Sequence, residues 1–425
     1  MGNLTDYVRA RGRQGFDEAP FNDLDSIVLC EMSYIDFARV YPAPRPGAPN
    51  DDDAIPTVRA LIDALRRAKD LRLLTLDGGA SRTSTSFIKA VAASRRFGTL
   101  HLDAFAQITD RTRQTQFSAC LFRIAPSLHF LAYRGTDDSI IGWKEDFAIS
   151  FTHTPAQTIG CEWAHEQIAH YGGDFIVGGH SKGGNLALYT ALNLDDGDFG
   201  HLRHVYVLDG PGLCDEVFEA TQRRPMASIN GMTTRFIPTF CVIGGLFEPR
   251  ITDTRIFASS ATGTYQHDLL SWKFNGAHPH YKNARNPMSL WINMTLATWL
   301  DGVSVKERRE FTDNLFDALQ ANGATSMSGI ADGNGSGLQN ILAVLAQLTP
   351  DTIDTALSLP QSAVRTTRDT LAGLGSEAQS QFATWIADVK KKAGRERTTD
   401  GPDSAGTAET AHNDGDGGSD GAGDA

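Results

Sequence analysis

The sequence predicts an α/β fold, a mainly parallel sheet with helices on both faces. Three observations carry this. Short β-prone runs alternate with segments of helical periodicity, the arrangement that forces parallel pairing through crossovers. Several of those runs end in turn residues, as in Arg134-Gly-Thr-Asp, Asp209-Gly-Pro-Gly and Gly244-Gly245. Most specifically, Phe175-Ile-Val runs into Gly179-His180-Ser181-Lys182-Gly183, and good helix formers follow from Asn185 to Leu192. Strand, sharp G-x-S-x-G turn and helix, in that order, are the context of a nucleophile elbow.

The elements follow in order. Residues 1–20 are polar and rich in Gly and Arg, and read as a flexible N-terminal arm. Cap-type residues after Phe21 precede apolar positions Ile27, Leu29, Cys30, Tyr34 and Phe37, which predicts an amphipathic helix. Five prolines and an Asp run make residues 41–56 a loop. Helices are expected over 57–68 and 84–94, and a hairpin of strands over 116–124 and 128–133 turns at Ala125-Pro-Ser. A helix over 159–171 leads to the elbow strand. Strands are then expected over 204–208, 236–243 and 255–259, and helices over 291–300, 304–321, 337–348 and 360–392. The division is an arm (1–20), an α/β domain (21–300), a helical C-terminal region (301–393) and a disordered acidic, Gly-rich tail (394–425).

Composition excludes several classes of function. The net charge of −12 and the lack of a Lys/Arg run argue against nucleic acid. The five cysteines are scattered without C-x-x-C, so neither a zinc site nor a disulfide framework is expected, and four read as small buried fillers. No metal or cofactor is implied. The beginning lacks a signal-peptide pattern and no segment reaches membrane-spanning length, so the chain reads as cytoplasmic.

If Ser181 is a nucleophile, its base and acid follow it in the chain. That order leaves His267, His278 and His280, of which His267 stands directly after the last strand-like run. The acid should end a strand. Asp209 does so, held by the turn after it, whereas Glu248 trails the 236–243 run and is the alternative. Thr136 and Lys182 are expected to line an oxyanion hole through backbone N–H groups, with the Thr136 hydroxyl as a further donor.

Tyr133-Arg-Gly-Thr-Asp with Trp143 and Asp146, Gly179-His-Ser-Lys-Gly-Gly-Asn-Leu-Ala, Val207-Leu-Asp-Gly-Pro-Gly and Gln266-His-Asp-Leu-Leu-Ser-Trp272 together resemble the Mbeg-like α/β-hydrolase family of bacteria. That family is a domain of unknown function related to fungal-type triacylglycerol lipases, and the likeness spans about residues 20–320. It implies a lipase-like fold, Ser181 as nucleophile, Thr136 in the oxyanion hole, His267 as base, and an ion pair of Arg134 with Asp146. The segment after Ile243 departs from the lipase pattern in lacking an Asp, and no apolar lid precedes the elbow. The implied activity is cleavage of carboxylic esters, with lipid esters as one class of them, through an acyl-enzyme. The alternative is a hydrolase-fold binding or scaffold protein whose C-terminal helices take a protein partner. Because a Gly/Asp tail buries little, deleting residues 394–425 should shift the melting temperature by no more than about 1 °C. A larger drop in calorimetry would mean that the tail docks on the domain.

Overall fold

The computed structural model describes residues 2–40, 55–67, 83–137, 139–215, 222–249 and 251–321, with Glu219 besides. All of them belong to one compact unit, Met1–Gly373. The helices expected over 337–348 and 360–392 and the tail over 394–425 lie outside the described residues.

Eight strands form the main sheet. β1 (His101–Asp110), β2 (Thr115–Ala125) and β3 (Leu128–Tyr133) make an antiparallel meander. From β3 the pairing turns parallel through β4 (Asp174–His180), β5 (Leu202–Leu208), β6 (Thr233–Pro238) and β7 (Asp253–Phe257). Two residues of β10 (Tyr281–Lys282) close the edge antiparallel to β7, and β8 (Phe274–Asn275) pairs separately with β9 (His278–Pro279). β1 was not foreseen. It is an edge strand whose outer half is exposed and whose Asp103 is buried against Arg123 at 2.8 Å, so its apolar alternation is broken. β6 ends at Pro238, earlier than the expected 243, and Cys241 to Gly244 are loop.

Alternation along the central strands feeds two cores. Phe130, Ala132, Tyr206, Leu208 and Phe236 face α2 (Asp23–Met32), α3 (Val58–Arg67) and α4 (Thr85–Ala93) through Ile27, Leu61, Phe87 and Val91. Leu131, Val177, Val205 and Val207 face Ile168 of the helix Pro155–Tyr171 and Leu186, Leu188 and Ala191 of the helix Lys182–Asn193. A strand buried on both faces needs apolar residues on both, and the buried stretches Phe130–Tyr133, Phe175–Val177 and Val205–Leu208 have them.

The N-terminal residues are not a loose arm. Leu4–Arg11 forms α1, started by a capping box in which Asn3 accepts from the Thr5 N–H and Asp6 accepts from the Asn3 N–H. Leu4, Tyr7 and Val8 are buried, and Gly2 exchanges backbone hydrogen bonds with Phe274 at 2.9 and 3.0 Å. Tyr7 also donates to Asp25 at 2.9 Å, whose carboxylate is paired with the buried Arg96. Only three buried apolar residues in eight leave a weak helical signal in sequence.

The remaining helices are α5 (Arg95–Gly98), α6 (Ile140–Ala148), α7 (Pro155–Tyr171), α8 (Lys182–Asn193), α9 (Asp196–Phe199), the helical turn Ala227–Asn230, α10 (Pro287–Asp301) and α11 (Val305–Ala321). No described helix is long and apolar enough to cross a membrane. The tightest backbone crossing is at the start of α8. A Cβ on Gly179 would lie 2.1 Å from the Gly183 carbonyl oxygen, and one on Gly183 would lie 2.2 Å from that of Tyr133. Backbone has no way to swing aside as a side chain tip would. Gly183→Ala is therefore expected to lower stability by about 2 kcal/mol or more, while Gly231→Ala, with open space around it and φ −71°, leaves it unchanged or slightly higher. Thermal denaturation of both variants checks this; equal melting temperatures would mean the crossing is looser than it is drawn.

Candidate active site

The C-terminal edge of the parallel strands collects the residues singled out in the sequence, as it does in open α/β sheets generally. Ser181 follows β4 with φ 59° and ψ −129°, a backbone that a non-Gly residue adopts only under constraint. Its N–H donates to the Leu208 carbonyl at 3.0 Å, which ties the elbow to the end of β5. Asp209 directly follows β5 and also has positive φ, 42°. The Arg134-Gly-Thr loop after β3 lies against the serine, since a Cβ on Gly135 would be 2.9 Å from the Ser181 Cβ.

Asp209 and His267 are joined. The His267 Nδ1–H donates to Asp209 Oδ2 at 2.6 Å, and both side chains are buried. The other carboxylate oxygen, Oδ1, accepts the Cys241 thiol at 3.0 Å and the Gly244 N–H at 3.2 Å. Burial alone would raise the Asp209 pKa. The His267 imidazole and the hydrogen bonds from His267 and Cys241 outweigh it, and the carboxyl is held below its ordinary value. With Nδ1 engaged as donor, the neutral ring of His267 keeps Nε2 as a bare acceptor.

His267 ends a short 3₁₀ turn, Gly263–His267, that is fastened from both sides. Gln266 accepts from the Phe240 N–H at 2.9 Å and from the Thr239 hydroxyl at 2.8 Å, and its carbonyl accepts from the Trp272 indole at 2.9 Å. The other two histidine candidates are elsewhere: His278 is exposed on β9 and His280 joins the β10 edge through its backbone. Glu248 is committed to two guanidinium groups, Arg235 at 2.8 Å and Arg285 at 2.9 Å.

Around the oxyanion loop two expectations are corrected. Arg134 does not pair with Asp146; among the described residues its nearest carboxylate is that of Asp137, at 3.8 Å. Asp146, on α6, instead holds the Thr136 hydroxyl, with both oxygens within 2.6 and 2.7 Å of Oγ1. That hydroxyl is therefore spent on Asp146 and leaves the backbone N–H as the donor Thr136 can offer. Lys182 likewise contributes backbone only. Its side chain is buried, with Nζ donating to Gln116 O at 2.7 Å, Gln116 Oε1 at 2.9 Å and Glu145 Oε2 at 3.0 Å. The first N–H groups of α8, those of Lys182 and Gly183, have no partner within the helix.

Sequence reasoning missed three residues here. Cys241 was counted only among the scattered cysteines, yet it donates to Asp209. Tyr34 was read as an apolar helix position, yet its phenolic oxygen accepts from the Gly135 N–H at 3.1 Å. His180 was only the variable residue of the motif, yet both ring nitrogens are engaged, with Tyr34 Oη at 2.8 Å and the His267 carbonyl at 2.9 Å. No spacing rule would find them, because Tyr34 lies 146 residues from His180 and they meet only through the sheet. Among the described residues one group could gather a cation, His165 with Asp195 and Asp198. Hydrogen bonds already account for it: His165 Nδ1 meets Asp198 at 2.6 Å and Asp195 caps α9.

A sequence profile of the Mbeg1-like family matches residues 91–317, more than half of the chain. The chain belongs to the Mbeg1-like family. Its boundaries take in Thr136, Ser181, Asp209 and His267, whereas Tyr34 lies before them. Solved structures similar to this Mbeg1-like chain include a mutant form of MDLA from Penicillium cyclopium, 13% identical over 56% of this chain and 78% of that one, with a TM-score of 0.32. M37 lipase is 15% identical over 53% and 70%, with a TM-score of 0.30. Lipase II from Rhizopus niveus is 13% identical over 48% and 79%, with a TM-score of 0.28. No curated protein matches by sequence. The α/β-hydrolase architecture rests on the sheet order, the elbow and the family.

The Asp146 carboxyl is pushed up to about 6, chiefly by burial, against the opposing Lys182 charge and the Thr136 hydrogen bond. A carboxyl raised in the folded state contributes stability below its unfolded value, near 4, and that contribution is lost as pH rises through about 6. Asp146→Asn, which still accepts the Thr136 hydroxyl, should gain melting temperature relative to the parent between pH 4 and pH 8. A difference that is flat across that range would show the carboxyl is ionised throughout.

Proposed function

We propose that this protein is a serine hydrolase that cleaves carboxylic esters through an acyl-enzyme. The reading is supported above all by one observation, the 2.6 Å hydrogen bond between Asp209 and His267 beside a serine on a strained elbow. His267 Nε2 would take the Ser181 proton as Oγ attacks the ester carbonyl. The negative charge on the carbonyl oxygen falls to the backbone N–H groups of Thr136 and Lys182, the latter at the positive end of α8. The imidazolium then gives its proton to the leaving alkoxide, and the alcohol departs. A water, deprotonated by the same imidazole, releases the acid and restores the hydroxyl. Asp209 stays ionised throughout, and its role is to hold the Nδ1–H tautomer and stabilise the imidazolium.

The substrate class is an ester of small size or with an acyl chain; lipid esters are the extension that the lipase-like architecture suggests. A fluorophosphonate probe and a series of p-nitrophenyl esters of increasing chain length test the reading directly. Ser181→Ala should abolish labelling and turnover while the melting temperature holds, since a half-exposed oxygen is all that is removed. His267→Ala should cost on the order of 10⁴-fold in kcat, and Asp209→Asn about 10²- to 10⁴-fold. Glu248→Gln should remain within a few-fold of the parent. Turnover that survives in Ser181→Ala would place the activity elsewhere or end the proposal.

A further inference from the structure

We propose that Tyr34 and His180 form a buried positioning relay that aims the oxyanion loop and the His267 loop at Ser181. This rests on the hydrolase reading above. The direction of every proton follows from chemistry. The His267 carbonyl can only accept, so His180 Nε2 must carry the hydrogen of the 2.9 Å contact. A neutral imidazole then has a bare Nδ1, which takes the Tyr34 hydroxyl proton at 2.8 Å. The phenolic oxygen, its own proton spent, accepts the Gly135 N–H at 3.1 Å. Tyr34 is 4% exposed and His180 fully buried. Burial, with the nearby His267 ring, pushes the His180 pKa down to about 3, so the imidazole is neutral and the chain of donors is not reversed.

The relay reaches two backbones that the proposed chemistry uses. Gly135 carries the peptide whose far side is the Thr136 N–H, and the Thr136 side chain is pinned to Asp146. The Gly135 N–H that Tyr34 holds belongs to the preceding Arg134–Gly135 peptide, so Tyr34 and Asp146 anchor the residues on either side of the Gly135–Thr136 peptide. The close approach needs a glycine, because a Cβ there would sit 2.3 Å from the Tyr34 hydroxyl. At the other end, Asp209 fixes the ring of His267 and His180 fixes its carbonyl, so neither the side chain nor the backbone of the base can drift. Tyr34 touches no reacting atom; its part is positioning.

Tyr34→Phe tests this, with Tyr7→Phe as its control. Tyr7, on α1, is equally buried but bonds to Asp25 of α2 and to Asn22, the residue that caps α2. Each variant loses a buried hydroxyl and should melt a few degrees lower, roughly alike. Only Tyr34→Phe should lose kcat, on the order of 10- to 100-fold with KM within about threefold, less than deleting an oxyanion donor outright. A kcat within twofold of the parent, or a fall matched by Tyr7→Phe, overturns the role. A second measurement does not depend on turnover: ¹⁵N-histidine NMR, with the His180 signal assigned by its loss in His180→Gln. The relay requires the Nε2–H tautomer at neutral pH and a shift of Nδ1 in Tyr34→Phe. An Nδ1–H tautomer overturns it. Were the parent neither to label nor to turn over esters, the hydrolase reading would fall and the tautomer alone would decide the relay.

Discussion

Everything at this site depends on backbone meeting backbone at the elbow. Gly179, Gly183 and the Tyr133 carbonyl approach so closely that no Cβ fits between them. That contact presses α8 onto the ends of β3 and β4 and leaves Ser181 no ordinary conformation, hence its positive φ. The strain is local and small against the two cores that flank the sheet, which is why it persists. It also sets the stage for the neighbours. Once α8 is seated, Gly135 lies close against His180 and Ser181, and Gly210 abuts the Ser181 carbonyl from the β5 side.

The acid illustrates how a buried charge is made tolerable. An isolated carboxylate in this interior would take a proton rather than stay ionised. Asp209 receives three donors: one from the His267 ring, two from the loop after β6. The loop after β6 thus serves a carboxylate at the end of the neighbouring strand β5, supplying Cys241 and Gly244 as donors and no carboxylate of its own. Gly244 matters for the same reason, as a Cβ on it would lie 2.5 Å from Asp209 Oδ1.

The sequence shows most clearly what is local. The elbow, the strand before it, the turn after Leu208 and the placement of His267 after the last parallel strand each depend on a few consecutive residues, and the structure has them where the patterns put them. What it hides is what only the fold brings together. The polar partners of Asp209, His180 and Gly135 come from chain positions tens to more than a hundred residues away. Edge strand β1 and helix α1 are hidden for another reason: each keeps polar residues that are neutralised in pairs, Asp103 with Arg123 and Asp6 with Arg9. Such pairs erase the apolar periodicity that reading by pattern relies on.

The buried Lys182–Glu145 pair extends the same logic to the helix that carries Asp146. Desolvating two charges costs more than a surface pair returns, so such a pair is weak evidence of stability by itself. Here its geometry is complete: Glu145 Oε1 accepts the Ala156 N–H at 3.2 Å and Oε2 accepts both Lys182 and the Gln116 N–H at 3.0 Å. It therefore joins β2, α6, α7 and α8 at one point. Asp146 is the next residue on α6, so wherever Lys182 draws that helix, the carboxylate that grips Thr136 follows. The residue after the serine thus has two parts, its N–H at the helix start and its ammonium as the anchor that ties α8 to α6 and, through Asp146, to Thr136. A methylene chain ending in a neutral group would keep the first role and abandon the second, which gives a physical reason for a lysine, rather than an apolar residue, at the position following Ser181.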